Sequence, residues 1–152
     1  QQKLLEEHLA LIEGERGDTR PIIVHCRKAV DELLSIFMAS QFAGDRFVFH
    51  CFTEGVEEVK KILDFGAMVS FTGVVTYKNA TEVVDAAQLV PLDRIMVETD
   101  APYLSPEPVR KERPNEPKNV VHTASFLANL FGLALTEFEA LVDENTTRFF
   151  RL

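Results

Sequence analysis

The sequence has no apolar run long enough to cross a membrane, no basic segment followed by an apolar leader, no low-complexity tract and no internal repeat. These absences argue against integral membrane proteins, secreted precursors and repeat arrays. A chain of 152 residues is long enough to bury a core of its own. We therefore expect a soluble protein with one domain.

Cysteine is scarce, and the two that are present show no Cys-x-x-Cys spacing. Cys26 and Cys51 each follow a histidine directly, and a pair without metal-binding or disulfide spacing fits a reducing cytoplasm best. Strand side chains alternate between faces, so a histidine that points towards a site sends its neighbour towards the opposite layer. We predict that both cysteines are packed structural thiols and that neither is a nucleophile.

Positive charge is also in short supply, since the net charge is −8. This balance argues against long-range, nonspecific attraction to nucleic acid, which needs cationic side chains facing phosphates. It does not exclude a nuclease, because bound divalent ions can supply the local positive charge. One modest basic patch, formed by Arg110, Lys111, Arg113 and Lys118, follows Asp100, and it could equally be a solvated loop.

Three short apolar runs end in residues that can bind a divalent metal. Two of the runs end in His25 and His50, and the third leads through Glu98 to Asp100. Short apolar runs separated by helical stretches are typical of buried parallel strands, whose carboxyl ends meet at one face. Two imidazoles and a carboxylate are therefore predicted to converge there, where open sheets and barrels place their sites.

Strand and helix patterns alternate along the whole chain, which predicts an α/β fold with right-handed crossovers. The predicted strands are 22–25, 47–50, 67–71 and 94–98, and the predicted helices are 2–13, 27–41, 55–65, 79–89, 117–131 and 136–149. A polar turn is expected over 14–20. Asn79 is a predicted N-cap, and Thr136 with Glu139 is a predicted capping box.

Four parallel strands form either a small open sheet or half a barrel. The chain contains neither a Gly-x-Gly-x-x-Gly nor a Walker sequence, which weakens nucleotide-binding alternatives. It also begins within a helix and without a methionine, as would a chain that lacks upstream βα units.

Five motifs in order carry a family resemblance: Ile22-Ile23-Val24-His25-Cys26-Arg27, Phe49-His50-Cys51-Phe52-Thr53, Val69-Ser70-Phe71-Thr72-Gly73, Val97-Glu98-Thr99-Asp100-Ala101-Pro102-Tyr103-Leu104 and Asn115-Glu116-Pro117. Together they resemble the TatD family of metal-dependent deoxyribonucleases, and the likeness extends to Asn145 and Arg148 in the last helix. Members of that family are (β/α)8 barrels of the TIM type within the amidohydrolase-like superfamily. The resemblance implies that residues 1–152 form a single partial domain, the C-terminal half of such a barrel, with about four parallel strands and C-terminal helices.

The resemblance also implies a set of site residues. His25 and His50 would bind the second of two divalent ions, which could be Mg²⁺, Mn²⁺ or Zn²⁺. Asp100 would bind the first ion and hold or deprotonate the attacking water. Family members carry further ligands, a His-x-His on the first strand and a bridging Glu on the fourth, that have no counterpart in this sequence. This polypeptide would then hold only part of the site, and its activity in isolation should be very low.

Other polar residues receive weaker assignments. Glu98 shares the facing direction of Asp100 and is interpreted either as a partner of a metal ligand or as a barrel-interior group. His8 and His122 lie in helical patterns and are predicted to be structural. Glu54 and the stretch 111–114 depart from the family pattern. The residues that could line the substrate mouth are Tyr103, Arg110, Arg113, Asn115 and Glu116.

Three functional hypotheses follow. The first is a cytoplasmic, divalent-metal-dependent phosphodiesterase that acts on DNA at strand ends, with this chain as half of its barrel. The second keeps the metals but cleaves C–N or ester bonds, as related amidohydrolases do. The third is a non-catalytic half-barrel that assembles with itself or with a missing half, because its outer strands would otherwise expose unpaired backbone. No membrane partner is expected.

Overall fold

The computed structural model describes residues 2–14 and 20–152 of the chain. The polar turn predicted over 14–20 therefore lies almost entirely outside the described residues. Among the helices that are described, none is long and apolar enough by itself to cross a membrane. Only the pair Pro117–Phe131 and Leu135–Phe150, bent by 108°, passes that test of length and composition together.

Four parallel strands form one sheet in the order in which they occur along the chain. They are β1 (Ile22–His25), β2 (Phe47–His50), β3 (Met68–Phe71) and β4 (Ile95–Val97). The predicted strands are confirmed to within one residue at each end. β1 and β2 pair in a register that sets His25 directly opposite His50. Both imidazoles are therefore delivered to the same point at the carboxyl edge of the sheet.

The two faces of the sheet are covered differently. On one face Phe47, Phe49, Phe71 and Ile95 are fully buried in the main core, against which the helices pack. Because strand side chains alternate, the residues between them point to the other face. There Val48, Met68 and Met96 form a separate cluster with Phe149 of the last helix. This aromatic side chain covers part of the second face, whereas Ile23 on β1 remains 60% exposed.

Six α-helices accompany the strands in the described part of the chain. They are α1 (Gln2–Gly14), α2 (Val30–Ala39), α3 (Val56–Phe65), α4 (Thr81–Ala87), α5 (Val120–Phe131) and α6 (Leu135–Phe150). The helix predicted over 27–41 begins three residues late because Lys28 has φ of +53°, which an α-helix cannot accommodate. The helix predicted over 117–131 begins with a 3₁₀ turn, Pro117–Asn119.

Two predicted helix caps are wrong. Ala80, not Asn79, stands at the start of α4, and no side chain caps that end. Ala134 precedes α6, so Thr136 lies inside the first turn and the capping box with Glu139 does not form. In both cases the helix start follows the burial of apolar side chains, among them Val83 and Phe138, since tertiary packing outweighs a cap of about 1 kcal/mol.

Polar side chains tie the amino-terminal edge of the sheet to the last helix. Asn145 in α6 donates through Nδ2 to the carbonyl oxygens of Leu92 and Ile95, at 2.7 and 2.9 Å. Arg148 donates to the carbonyl of Asp93 and, at 2.8 Å, to Oδ1 of Asn145. These bonds fix the start of β4 against the last helix.

Candidate metal centre and the adjoining cavity

His25 and His50 meet at the carboxyl edge of the sheet. Nδ1 of His25 lies 3.1 Å from Nε2 of His50, and the ring centroids are 5.3 Å apart. His25 is exposed and His50 is half-buried. The proximity that the strand pattern predicted for these two side chains is present, and it follows directly from the in-register pairing of β1 and β2.

The geometry of this pair suits a shared ion. Two nitrogens that each lie about 2.1 Å from one ion, at tetrahedral or octahedral angles, are roughly 3.0–3.4 Å apart. The observed 3.1 Å falls in that range. Neutral imidazole is a good donor for Zn²⁺ and Mn²⁺. The two facing nitrogens therefore fit a divalent transition-metal ion without rearrangement of the backbone.

Glu98 orients His50 from behind. Its Oε2 lies 3.4 Å from Nδ1 of His50, and its Oε1 accepts a 2.8 Å hydrogen bond from the backbone N–H of Cys51. A carboxylate in this position favours the tautomer that carries a proton on Nδ1, which leaves the lone pair of Nε2 facing His25. Of the two interpretations open to Glu98 from sequence, the structure favours a partner of a metal ligand.

Asp100 lies just beyond β4, but it does not complete a three-donor set. Within residues 2–14 and 20–152, no group of three or more His, Cys, Asp or Glu side chains is arranged to hold an ion. The backbone carbonyl of Asp100 accepts a 2.7 Å hydrogen bond from Tyr103, so the turn that follows it is fixed. The described residues thus supply two converging donors, an orienting carboxylate and one further carboxylate at the same edge.

The two cysteines have different surroundings. Cys26 packs against the main core, as predicted, and its burial raises the pKa of its thiol. Cys51 is not in a strand: its φ is +49°, and its Sγ lies 3.4 Å from the hydroxyl of Thr72 at the end of β3. Burial first, and then the charges of Asp100 and Glu98, raise the pKa of the Cys51 thiol. The alternation of strand side chains does not predict which way Cys51 points, because β2 ends at His50.

Left-handed backbone conformations cluster around this edge. Three of the four non-glycine residues with positive φ that the structure describes follow β1, β2 and β4: Lys28, Cys51 and Leu104. Such conformations cost of order 1 kcal/mol or more each and persist where the surroundings fix them. At Lys28 the fixing contact is a 2.6 Å hydrogen bond from its N–H to Oε1 of Glu54. Glu54, which departs from the family pattern, thereby joins the loops that follow the two histidines.

A cavity of about 650 Å³ opens beside Asp100, where residues 101–116 cross the turn that follows β3. The crossing is close: a side chain on Gly73 would meet the carbonyl oxygen of Leu104 at 2.5 Å, so only glycine fits there. Thr76 accepts a 2.8 Å hydrogen bond from the N–H of Glu107 and adds a second tie. The residues that line the cavity are Tyr77, Pro102, Tyr103, Leu104, Ser105, Arg110, Arg113 and Pro114.

The residues predicted to line the substrate mouth divide into two groups. Tyr103, Arg110 and Arg113 line this cavity. Asn115 does not: it is only 4% exposed, and its amide donates to the carbonyl of Tyr103 and accepts from Glu116 and Asn119. A side chain whose bonding groups are used within its own loop holds that loop in place. Glu116 is exposed and pairs with Lys118.

Tyr77 is a cavity residue that the sequence did not reveal. It follows the Thr72-Gly73 motif by a few positions, and only the crossing of residues 101–116 brings it beside Arg110. Its hydroxyl donates to the carbonyl of Ser105 at 3.1 Å. His8 lies exposed on α1 and His122 partly buried on α5, both outside the lining of the cavity beside Asp100.

Sequence comparisons place the chain among known metal-dependent hydrolases. Residues 1–151 match the family described as TatD related DNase. An uncharacterized metal-dependent hydrolase of Escherichia coli K12, YcfH, is 42% identical over 147 residues, which are 97% of this chain and 55% of that protein. The human 3'-5' RNA nuclease TATDN2 is 33% identical over all of this chain and 20% of its own length. The chain thus spans about half the length of the bacterial relative.

Solved structures show the same fold. A TatD homologue of Escherichia coli K12, YJJV, superposes with a TM-score of 0.88 at 24% identity, over 99% of this chain and 56% of the other. An uncharacterized amidohydrolase of Saccharomyces cerevisiae gives a TM-score of 0.85 at 18% identity, over 99% and 59%. The four strands and their helices have the α/β architecture of these TIM-barrel-type proteins, as the resemblance in sequence implied.

Proposed function

Because this chain belongs to the TatD related DNase family of metal-dependent hydrolases, we propose that it contributes half of a barrel that hydrolyses phosphodiester bonds in DNA. The observation that carries the proposal is the His25, His50 and Glu98 arrangement. Two imidazole nitrogens face each other 3.1 Å apart with a carboxylate behind one of them, and this arrangement supports a pair of donors for one ion.

Each residue has a distinct task in this proposal. His25 and His50 would hold a divalent ion, and Glu98 would orient the ring of His50. A bound divalent ion would supply positive charge to the phosphoryl oxygens and increase the acidity of a nearby water. Asp100 orients that water and takes its proton, for which a carboxylate at the rim of the site is suited. Further ion ligands come from a part of the barrel that this chain does not supply.

DNA is proposed over RNA on the family description alone. The human relative that matches this chain is named as an RNA nuclease, so both polymers belong in the test. Amide hydrolysis is the less favoured alternative, because the cavity beside Asp100 offers two guanidinium groups, which suit a phosphodiester anion better than a neutral amide.

The test uses the natural full-length protein that contains this chain. Labelled DNA and RNA oligonucleotides and a small amide substrate are incubated with Mg²⁺, Mn²⁺ or Zn²⁺, and the Asp100→Asn variant serves as the inactive control. We expect metal-dependent cleavage of DNA that Asp100→Asn abolishes. Absence of any metal-dependent cleavage of DNA would overturn the proposal, and cleavage of the amide alone would favour the second hypothesis.

We also propose that the 152-residue chain by itself associates with a second copy. β1 pairs only with β2, and β4 only with β3, so both outer strands have an open edge among the described elements. Three large apolar side chains are also exposed: Ile23 on β1 is 60% exposed, and Leu4 and Leu11 on α1 are 57% and 70% exposed. Sedimentation velocity is expected to show dimers or larger species. A well-folded monomer at tens of micromolar concentration would contradict this proposal.

A further inference from the structure

We propose that the cavity beside Asp100 is a nucleobase subsite, in which Arg110, seated on Tyr77, and the ring of Tyr103 provide the stacking surfaces. The inference rests on the proposed function and assigns to it a means of recognising the base next to the phosphate under attack. It adds Tyr77, which no sequence motif indicated, and gives Arg110 a role other than charge.

The guanidinium of Arg110 is fixed in place on one side. Its Cζ lies 3.8 Å from the centroid of the Tyr77 ring, the distance of a face-to-face contact. The carboxylate of Glu107 lies 3.8 Å from Nη1, and the hydroxyl of Tyr77 is itself anchored to the carbonyl of Ser105. The position of the planar group is thus set before any ligand arrives. Its side chain is still 44% exposed, which leaves surface for a second planar partner.

Tyr103 presents a second planar group. Its side chain is 69% exposed, although its backbone is bonded at both ends, with the N–H donating to Asp100 and the carbonyl accepting from Asn115. A fixed backbone that carries an exposed aromatic ring can present a planar surface to a ligand with little loss of conformational entropy. The backbone bond to Asp100 places this ring one short turn from the proposed proton acceptor.

Charge and size suit a nucleotide. The lining includes two arginines, of which Arg110 is paired with Glu107 and Arg113 carries the second positive charge, in a chain whose net charge is −8. A volume of about 650 Å³ lies within the range of small-ligand pockets. Bases stack on aromatic rings and on guanidinium planes, while a second arginine can pair with the adjoining phosphate.

The experiment measures binding without cleavage, by the natural full-length protein that contains this chain, in the presence of a chelator. One single-stranded oligonucleotide carries 2-aminopurine at its terminal nucleotide, and the matched oligonucleotide has an abasic residue there. We expect quenching of 2-aminopurine fluorescence on binding, as stacking produces, and affinity for the abasic strand that is about 5- to 100-fold lower.

Two variants and a matched control assign the effect to the stacked group. Arg110→Lys keeps the charge but removes the plane, and Tyr77→Leu removes the surface beneath it; both should lose most of the preference for the base-bearing strand. The control is Arg151→Lys, which makes the same replacement at an exposed arginine at the end of α6. This variant should keep the preference for the base-bearing strand. Circular dichroism checks that each variant is folded.

The wild-type comparison alone can overturn the inference. Equal affinity for the two strands, or binding of neither, would do so, and so would an Arg110→Lys variant that keeps the preference. The outcome is separable from that of the proposed function. Quenching with no metal-dependent cleavage by the full-length protein would leave the subsite standing without the nuclease. Asp100-dependent cleavage with no base preference would leave the nuclease standing without the subsite.

Discussion

At the amino-terminal edge of the sheet, polar side chains bond to backbone carbonyls, whereas at the carboxyl-terminal edge the imidazoles of His25 and His50 face each other. At the first edge, Asn145 donates to the carbonyls of Leu92 and Ile95. Arg94 donates to the carbonyl of Gly66 at 2.7 Å. His25 and His50 illustrate the second.

The difference distinguishes groups that stabilise the fold from groups that are available for chemistry. A side chain that satisfies a buried carbonyl is fixed by the fold, and its loss leaves that carbonyl without a partner. A side chain that contacts only another side chain keeps a lone pair or a proton that a ligand can use. The left-handed residues Lys28, Cys51 and Leu104 also lie at the second edge, where the surrounding contacts hold them in place.

The largest effect is expected for Asp100→Asn in the natural full-length protein. Loss of a positioned proton acceptor should reduce the rate of phosphodiester cleavage by about 10²- to 10⁴-fold. Because the carboxylate of Asp100 forms no hydrogen bond or ion pair with the other described residues, the free energy of unfolding should change by less than about 0.5 kcal/mol. Single-turnover kinetics measure the rate of cleavage by this variant, and urea denaturation measures its free energy of unfolding. A variant that loses stability instead of rate would break the comparison.

The reverse pattern is expected for Asn145→Leu. This substitution keeps the side-chain size but leaves the carbonyls of Leu92 and Ile95, and one donor of Arg148, without their partner. The free energy of unfolding should fall by about 2–4 kcal/mol. Urea denaturation measures the loss, and zinc affinity under native conditions should stay within a factor of about two. A stability change below about 1 kcal/mol would contradict the structural role.

An intermediate effect is expected for Glu98→Gln at the carboxyl edge. The amide oxygen can still accept the hydrogen bond from the N–H of Cys51, but the NH2 group then faces Nδ1 of His50 and no longer favours a proton there. Affinity for Zn²⁺ or Mn²⁺ should fall by about 10- to 100-fold, as for other groups that orient a metal ligand. Calorimetric titration measures it, with His8→Ala, on the exposed side of α1, as the control that should bind normally.

A smaller effect is expected for Arg94→Met, which removes one hydrogen bond to the carbonyl of Gly66 and keeps the aliphatic stem. The free energy of unfolding should fall by about 0.5–1.5 kcal/mol, with no change in metal affinity. Thermal and urea denaturation are the measurements. If Arg94→Met weakened metal binding more than Glu98→Gln did, the two edges would not be functionally distinct.

The smallest effect concerns Cys51 and alkaline pH. Burial raises the pKa of its thiol above the usual value of 9.0, so the folded state retains the proton over a range in which the unfolded state has lost it. The resulting stabilisation is fully present below about pH 9 and is lost as pH rises through the folded pKa. Cys51→Ser should flatten this part of the stability profile. An unchanged slope above pH 9 would show that the thiol does not contribute.

Much of the fold follows from local pattern, and the departures occur where tertiary contacts decide. The four strands could be located because each is a short apolar run, and His25 and His50 could be paired because parallel strands end at one edge. The start of α2 could not be located from the sequence, because the left-handed turn at Lys28 depends on Glu54 from the neighbouring loop. Local sequence also proposed caps at Asn79 and Thr136 that packing did not use.

The limits at the site have the same origin. Tyr77 and Arg110 are 33 positions apart in the chain, and nothing in either segment indicates that residues 101–116 cross the turn after β3. Asn115 was expected at the substrate mouth because it belongs to a motif, but its burial depends on three partners in the same loop. A motif identifies residues that matter and does not tell whether they contact substrate or hold the loop.

The in-register pairing of His25 with His50 has a consequence for assembly of the sheet. β1 is an outer strand, and a slip of one residue against β2 would turn His25 to the opposite face. An ion that needs both nitrogens would be held only by molecules in which this outer strand has docked in the correct alignment. Metal binding would then report the correct register of β1 against β2, and misaligned molecules would stay metal-free.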